Sequence, residues 1–318
     1  MSLSDLSLVI YANADPGACM RILTDCERLE YEGFSLEVIL VLQGLTEKVE
    51  GVIKDYDFSF DLKFVSTEGA TNRAKGRNLG ALEAKHDIIL FLDSALEISP
   101  GLLYRHLEAY GDDKIAAVMG EIYLPEFVKK NRWFRFLDGE YRSTRRWAAR
   151  AGKLASPPLR YVNTSNFSIR KNVFEGCGGY GGNIDHPEAE DIDLAHRISN
   201  QNPNHIHYEP EAVAYCIHHS LRTSLSLKFE FGKEGVPKLL DAYPELYPVL
   251  PSRFVKIKGF PSVAPVYKGL MNLLFTAPVF FLARGVRLFS PEFIAFRMMR
   301  FMLQYESVSG VRASLKNK

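Results

Sequence analysis

Two short acidic segments, far apart in the chain, carry the side chains best suited to chemistry. The first is DIILFLDSA, residues 87–95, an apolar run that delivers Asp93 to its carboxyl end. A carboxylate there can hold a hard cation such as Mg²⁺ or Mn²⁺ against a diphosphate, because oxygen ligands suit such ions and the cation offsets the leaving group's charge. An aspartate after an apolar strand serves equally as a turn or helix cap. The second is Glu190, Asp191 and Asp193, with Arg197 following, at the head of a predicted helix. Acidic side chains in a first turn stabilise a helix N-terminus. The alternative is that one of them accepts a proton from a nucleophilic hydroxyl.

The elements that must position these groups follow from periodicity. Residues 6–12, 36–42, 62–66 and 87–92 read as short apolar strands, with helix-like stretches at 18–31, 46–55 and 71–85 between them. Strand and helix in regular succession, with strands apolar on both faces, predict an α/β fold whose parallel sheet is flanked by helices on both sides. Ligands on such sheets bind at the carboxyl ends of the strands, which is where Asp93 falls. A further strand is expected at 115–123 and another extended segment at 161–170. A helix is expected from about Asp191, an alternating stretch like a strand pair at 205–217, and a helix from Thr223 towards Leu240. The compact unit is expected to span 1–240, with halves of about 1–123 and 124–240. Residues 241–318 form a proline-punctuated linker and apolar helices.

Composition narrows the classes. Lys+Arg of 39 against Asp+Glu of 38 gives a net charge of +1, so no global field recruits nucleic acid. The four cysteines, Cys19, Cys26, Cys177 and Cys216, have neither metal-knuckle spacing nor the density of a disulfide scaffold. They suit a reducing compartment. The first residues lack the basic region and long apolar run of a secretory leader, so a cytoplasmic location is expected. In 266–289 the longest uncharged run falls short of the ~20 residues that span a bilayer. Its aromatics and flanking basic residues suit helices lying in a membrane interface, peripheral on the inner face. Packing on the core or on a second copy of the chain is the alternative.

The ordered set of segments resembles glycosyltransferase family 2. The matching pieces are the opening strand with Asn13, the strand ending in Gln43-Gly44 with Thr46, Arg77-Asn78-Leu79-Gly80 and Phe91-Leu92-Asp93-Ser94. They continue with Asn166-Phe167-Ser168-Ile169-Arg170-Lys171, Gly178-Gly179-Tyr180, Glu190-Asp191-Ile192-Asp193-Leu194 with Arg197, and His218-His219. The resemblance covers about residues 6–235. It implies a GT-A fold, with a Rossmann-like, mostly parallel sheet and here a C-terminal helical extension. It also implies an inverting transferase that moves a sugar from a nucleoside-diphosphate sugar, UDP-sugar favoured and thymidine next, to a saccharide or glycolipid hydroxyl in cell-surface polysaccharide synthesis.

The resemblance further implies that Ile10, Tyr11, Asn13 and Gln43 bind the nucleotide, Arg77 reaches the base or diphosphate, and Asp93 contacts the ribose or a metal-bound diphosphate. Asp191 is then the catalytic base with Glu190 beside it, and Asp93 with His219, rather than His218, holds a divalent metal. The chain departs from the pattern at Ala95, where a second aspartate is usual, and Glu97 could substitute through a water. That departure leaves three alternatives: a metal site of Asp93 and a histidine, a metal-independent reaction neutralised by Arg or Lys, or an impaired nucleotide-sugar-binding or scaffold protein. Residues 129–160 set Arg132, Arg135, Arg142, Arg145, Arg146, Arg150 and Arg160 among aromatics. This stretch suits an anionic saccharide or lipid-diphosphate acceptor, or else a solvated helix whose arginine stems cover apolar surface.

Overall fold

A computed structural model of the chain describes residues 5–13, 15–29, 32–44, 47–67, 72–141, 144–151, 156–181, 184, 186–201, 206–216, 219–260 and 273–316. The chain divides into two compact units, residues 1–125 with 144–216, and residues 126–143 with 217–318. The change in composition near Leu240 therefore falls inside the second unit.

The first unit opens with β1 (Leu6–Asn13), α1 (Pro16–Glu27), β2 (Leu36–Gln43), α2 (Glu47–Ile53), β3 (Asp61–Thr67), α3 (Arg73–Glu83) and β4 (Ile88–Asp93). Each predicted strand and helix of this half is present. Two local devices start the helices. Asp15 accepts hydrogen bonds from the Gly17 and Ala18 amides ahead of Pro16, and Asn72 accepts from the Lys75 amide. The strands β1, β2 and β4 are buried on both faces, in keeping with their mostly apolar sequences.

The unit continues with β5 (Glu97–Ile98), α4 (Leu102–Ala109) and β6 (Ala117–Tyr123). After a helix at Thr144–Ala151 come β7 (Asn166–Arg170), a short helix at Lys171–Gly176, the helix Pro187–Gln201 and β8 (Ile206–Tyr215). All strands join one eight-stranded sheet in the order β3-β2-β1-β4-β7-β6-β8-β5. The first four strands are parallel; β7 runs antiparallel to both β4 and β6, while β8 is parallel to β6.

Two sequence expectations are corrected. The described part of that stretch, 206–216, holds one strand rather than a pair: its register against β6 jumps between Gly120 and Glu121, so that Pro210, Glu211 and Ala212 bulge out of the ladder. Pro210 has no N–H to give, which suits the bulge. The acidic helix starts at Pro187, not at Asp191, so Glu190 and Asp191 lie a turn inside it.

In the second unit the predicted helix 223–240 is interrupted. It comprises Leu221–Glu230, a π turn at Phe231–Gly235, and Val236–Ala242. A Cβ on Gly232 would lie 2.0 Å from the Ser307 carbonyl oxygen, and one on Gly310 2.1 Å from that of Phe229. Glycine at both positions lets the helix Glu292–Lys316 approach this π turn backbone to backbone. The helix Ala277–Phe289 packs on the same long helix through Phe280 and Ala283.

Candidate active site

Glycine again sets the geometry where α3 meets the sheet. A Cβ at Gly76 would fall 2.3 Å from the Tyr11 ring, and one at Gly80 2.4 Å from Val9. Helix α3 thus presses on β1 and β2, and the first turns of that helix carry Arg73 and Arg77 towards the carboxyl end of β4. Arg77 is fully buried, and its guanidinium fans out to three partners. It donates to Asp93 Oδ1 at 2.5 Å, Thr164 Oγ1 at 2.8 Å and the Tyr180 hydroxyl at 3.4 Å. Arg77 Nε is left buried without a partner among the described residues. The Thr164 hydroxyl in turn donates to Asp191 Oδ1.

Arg73, one helical turn earlier, lies among three carboxylates. Its Nε is 2.5 Å from Glu190 Oε1, its Nη1 3.3 Å from Asp93 Oδ2 and its Nη2 4.0 Å from Asp191 Oδ1. Asp93 and Asp191, separated in sequence, are therefore joined in one cluster through Arg77, Thr164 and Arg73. Asp193 stands apart, because its carboxylate is held by Arg197 and the Gly181 amide. Arg197 also donates to the Cys177 and Gly179 carbonyls, so this pair braces the glycine turn rather than the cluster.

The charges settle unequally. Burial acts to raise Asp93, but Arg77 and Arg73 outweigh it and hold its carboxyl below the usual aspartate range. Burial also raises Asp191 and Glu190, and there it wins: both stay above their ordinary values despite the two arginines. For Arg73 burial works downward, yet Asp93, Glu190 and Asp191 keep the guanidinium more firmly protonated than usual. Asp93 is thus the settled anion and the Glu190–Asp191 pair the place where a proton can be taken.

Among the residues expected to bind nucleotide, Tyr11 and Gln43 meet: the Tyr11 hydroxyl donates to Gln43 Oε1 at 2.9 Å, across the parallel register of β1 and β2. Ile10 does not join them: its side chain has no exposed surface and sits in the core with Leu8, Leu40 and Leu90, since alternation along β1 turns it away from Tyr11. The Asn13 side chain and His218 lie outside the described residues.

The metal expectation meets a mismatched donor set. Both oxygens of Asp93 are engaged by guanidinium groups, and position 95 offers only a methyl group. Glu97 is exposed on β5, and His219 belongs to the second unit, where its carbonyl accepts from Trp133 Nε1. No group of three or more His, Cys, Asp or Glu side chains able to hold a metal occurs among the described residues. A cation beside Asp93 would have to displace two arginines, so these residues do not fit one.

The arginine-rich stretch is also clarified. Arg132 donates to the Arg287 and Ser290 carbonyls at 3.0 and 3.1 Å, and Arg135 to the Lys129 and Lys130 carbonyls and to Glu292. These two serve their own unit. Arg145 lies over the Tyr123 ring at 4.6 Å, with Glu121 3.7 Å away. Arg142 and the Arg146 side chain lie outside the described residues.

The profile of the family described as Glycosyl transferase family 2 matches residues 21–178, the stretch that contains Arg73, Arg77, Asp93 and Thr164. The chain belongs to glycosyltransferase family 2. Similar proteins agree with the family. A probable glycosyltransferase, YdaM of Bacillus subtilis (strain 168), is 26% identical over 221 residues, which is 67% of this chain and 50% of that protein. The chain thus spans half the length of this curated relative. The mannosyltransferase PcManGT from Pyrobaculum calidifontis, solved with GDP-Man and Mn²⁺, superposes with a TM-score of 0.65 at 14% identity, over 99% of this chain and 88% of that one. TarS of S. aureus gives 0.53 at 14% identity, over 96% and 55%. These superpositions establish the GT-A fold expected of the family.

Arg73 and Thr164 are neighbours of the Asp93–Asp191 cluster that sequence reasoning did not name, and Tyr180 was matched only within Gly178-Gly179-Tyr180. Arg73 had a signal, since it precedes Arg77 by four residues and so shares its helix face. Thr164, in an irregular segment before β7, had none.

Proposed function

We propose that this chain is an inverting glycosyltransferase that moves a sugar from a nucleoside-diphosphate sugar to a hydroxyl of a saccharide or glycolipid acceptor. The observation that carries the reading is the convergence of Asp93 and Asp191 on Arg73 and Arg77 at the carboxyl ends of the parallel strands. Ligands of open α/β sheets bind at that end.

On this reading Gln43 and Tyr11 hold the base and ribose. A glutamine amide both donates and accepts, which suits the edge of a pyrimidine, with uridine favoured. Arg73 and the buried Arg77 face the diphosphate and neutralise the charge that grows as the bond from the anomeric carbon to the leaving oxygen breaks. Asp191 takes the proton from the acceptor hydroxyl as its oxygen forms the new bond on the opposite face, which inverts the anomeric centre. Glu190 holds Arg73 in place. The two arginines, and not a metal, neutralise the diphosphate on this reading, because the donor set around Asp93 does not suit a cation. Mn²⁺ accompanies GDP-Man in the structure of PcManGT, so the chain departs here from that neighbour.

Four free cysteines suit a reducing compartment, and membrane contact on this reading is peripheral.

The test is sugar transfer and donor hydrolysis with a panel of nucleotide-sugars, for the wild type and Asp191→Asn. Turnover that falls about 10²-fold to 10⁴-fold in the variant, with nucleotide binding retained, supports the base assignment. Ala95 favours the second reading, a nucleotide-sugar-binding protein without turnover. Ligand-induced thermal stabilisation with no product from any donor would establish it.

A further inference from the structure

The helix Ala277–Phe289 is apolar on two faces. One face, with Phe280 and Ala283, packs on Met302 with Leu221, Leu225 and Phe301 around it. The other carries Phe281 and Leu282 at 63% and 65% exposure and Phe289 at 91%, with Leu288 also exposed. Leu273, just before the helix, and Phe293, just after it, are exposed as well. Monomeric soluble proteins seldom leave so many large apolar side chains together in water.

The stretch of sequence that carries this face has charges of one sign. Between Glu245 and Glu292 the sequence has six basic residues, Arg253, Lys256, Lys258, Lys268, Arg284 and Arg287, and no Asp or Glu. Arg284 is exposed one turn before Leu288, and Arg297 one turn after Phe293. Glu292, the nearest acidic residue in sequence, is paired with Arg135 at 3.1 Å. No helix among the described residues is long and apolar enough to cross a membrane.

We propose that this face lies in the interface of a lipid bilayer that carries anionic headgroups, with the helix parallel to the membrane plane. Apolar side chains enter the acyl boundary while arginines at the edge meet the negative surface, which is how an in-plane helix binds. A second copy of the chain is a poorer occupant. A two-fold contact would set the same arginine-bordered face against itself, with no carboxylate in the stretch to compensate. The proposal specifies the peripheral contact of the reading above. It rests on the surface of the second unit alone, so it survives or fails independently of sugar transfer.

The experiment is vesicle co-sedimentation of the full chain. It uses phosphatidylcholine alone and phosphatidylcholine mixed with phosphatidylglycerol, each at low and high salt. The expected result is binding to the mixed vesicles that is weakened by salt and about tenfold or more weaker on the neutral ones. Phe281→Ser combined with Phe289→Ser abolishes binding, and Arg284→Glu combined with Arg297→Glu removes the preference for anionic lipid. All four positions are exposed, and an unchanged thermal midpoint verifies that each variant is folded. Wild type that binds neither vesicle, or phenylalanine variants that bind as well as wild type, would overturn the proposal. So would a dimer, seen by light scattering, that the phenylalanine substitutions dissociate, because the face would then belong to a second copy. A chain that binds vesicles but transfers no sugar keeps this inference and loses the preceding one.

Discussion

Arg77 and Arg132 are both arginines set in polar, hydrogen-bonded surroundings, yet they do opposite work. Arg132 meets backbone carbonyls at the end of the helix Ala277–Phe289, where oxygens that lack intrahelical partners accept its protons. Its contacts complete a local structure. Arg77 meets Asp93 and, through Thr164, Asp191, inside a unit where burial already disfavours negative charge. There the two arginines hold one carboxylate ionised and leave its neighbours above their normal range. What distinguishes the two guanidinium groups is what each faces, and neither the residue type nor the density of arginines around it reveals that.

The comparison breaks most readily at Asp191. Its pKa is raised by burial, with Asp93 adding to the effect and the two arginines opposing it, so a base at this position is protonated at a pH where an ordinary aspartate, about 3.9, is already ionised. The acid limb of the kcat/KM profile is expected above that range, falling about tenfold per pH unit, and to be absent in Asp191→Asn. The limb belongs to the Glu190–Asp191 pair rather than to one residue. Stability runs the other way. A carboxyl whose folded pKa is raised binds its proton more tightly in the folded state, so its contribution is full at low pH and is lost as pH rises through the folded value. Asp93, held low, contributes stability above the ordinary aspartate range and loses it as pH falls through its folded value. An acid limb at or below the ordinary aspartate range would remove Asp191 as the base.

Arg77→Met comes next in size. It leaves Asp93 without its 2.5 Å partner and removes the guanidinium from a fully buried position. Breaking a buried pair from one side costs about 3–5 kcal/mol, which urea unfolding would read as a lower midpoint. A loss under about 1 kcal/mol would show that water already reaches this cluster and that Arg77 is less isolated than its burial implies.

Legibility in the sequence divided along physical lines. The strands β1, β2 and β4 could be read because burial on both faces demands mostly apolar runs, a pattern that needs no tertiary knowledge. Asp93 and Asp191 could be singled out by type and place. Their bridge could not, since Thr164 sits in an irregular stretch and a threonine there carries no periodicity. The placing of Ile10 in the core could not be read, because alternation along a doubly buried strand does not say which face opens to a ligand. The one-strand nature of β8 was hidden by Pro210 and the bulge around it. Arg132 was unreadable because its partners, Arg287 and Ser290, lie far along the chain.

Gly76→Ala tests how tightly the arginines are placed. The new methyl would meet the Tyr11 ring at 2.3 Å, so either that ring or the helix α3 must move. Overpacking of this kind costs about 1–3 kcal/mol. Because Tyr11 donates to Gln43, the expected signature is weaker nucleotide binding in a thermal-shift titration alongside the lower stability. Unchanged nucleotide affinity would separate Tyr11 from the donor.

The smallest effect is expected at Arg132, and its smallness is what sharpens the contrast with Arg77. Arg132→Gln removes the bonds to the Arg287 and Ser290 carbonyls, at a half-buried position where water can take up part of the vacated hydrogen bonding. A bond from a charged donor to a carbonyl is worth about 1.5–3 kcal/mol at most, and partial exposure places this loss near the lower figure. Transfer kinetics with a soluble acceptor should be unaltered, since the residue serves the helix end and not the cluster. If KM for an anionic acceptor instead rose severalfold while the unfolding midpoint stayed put, Arg132 would be an acceptor ligand. The arginine-rich stretch would then have to be regarded as a second working surface.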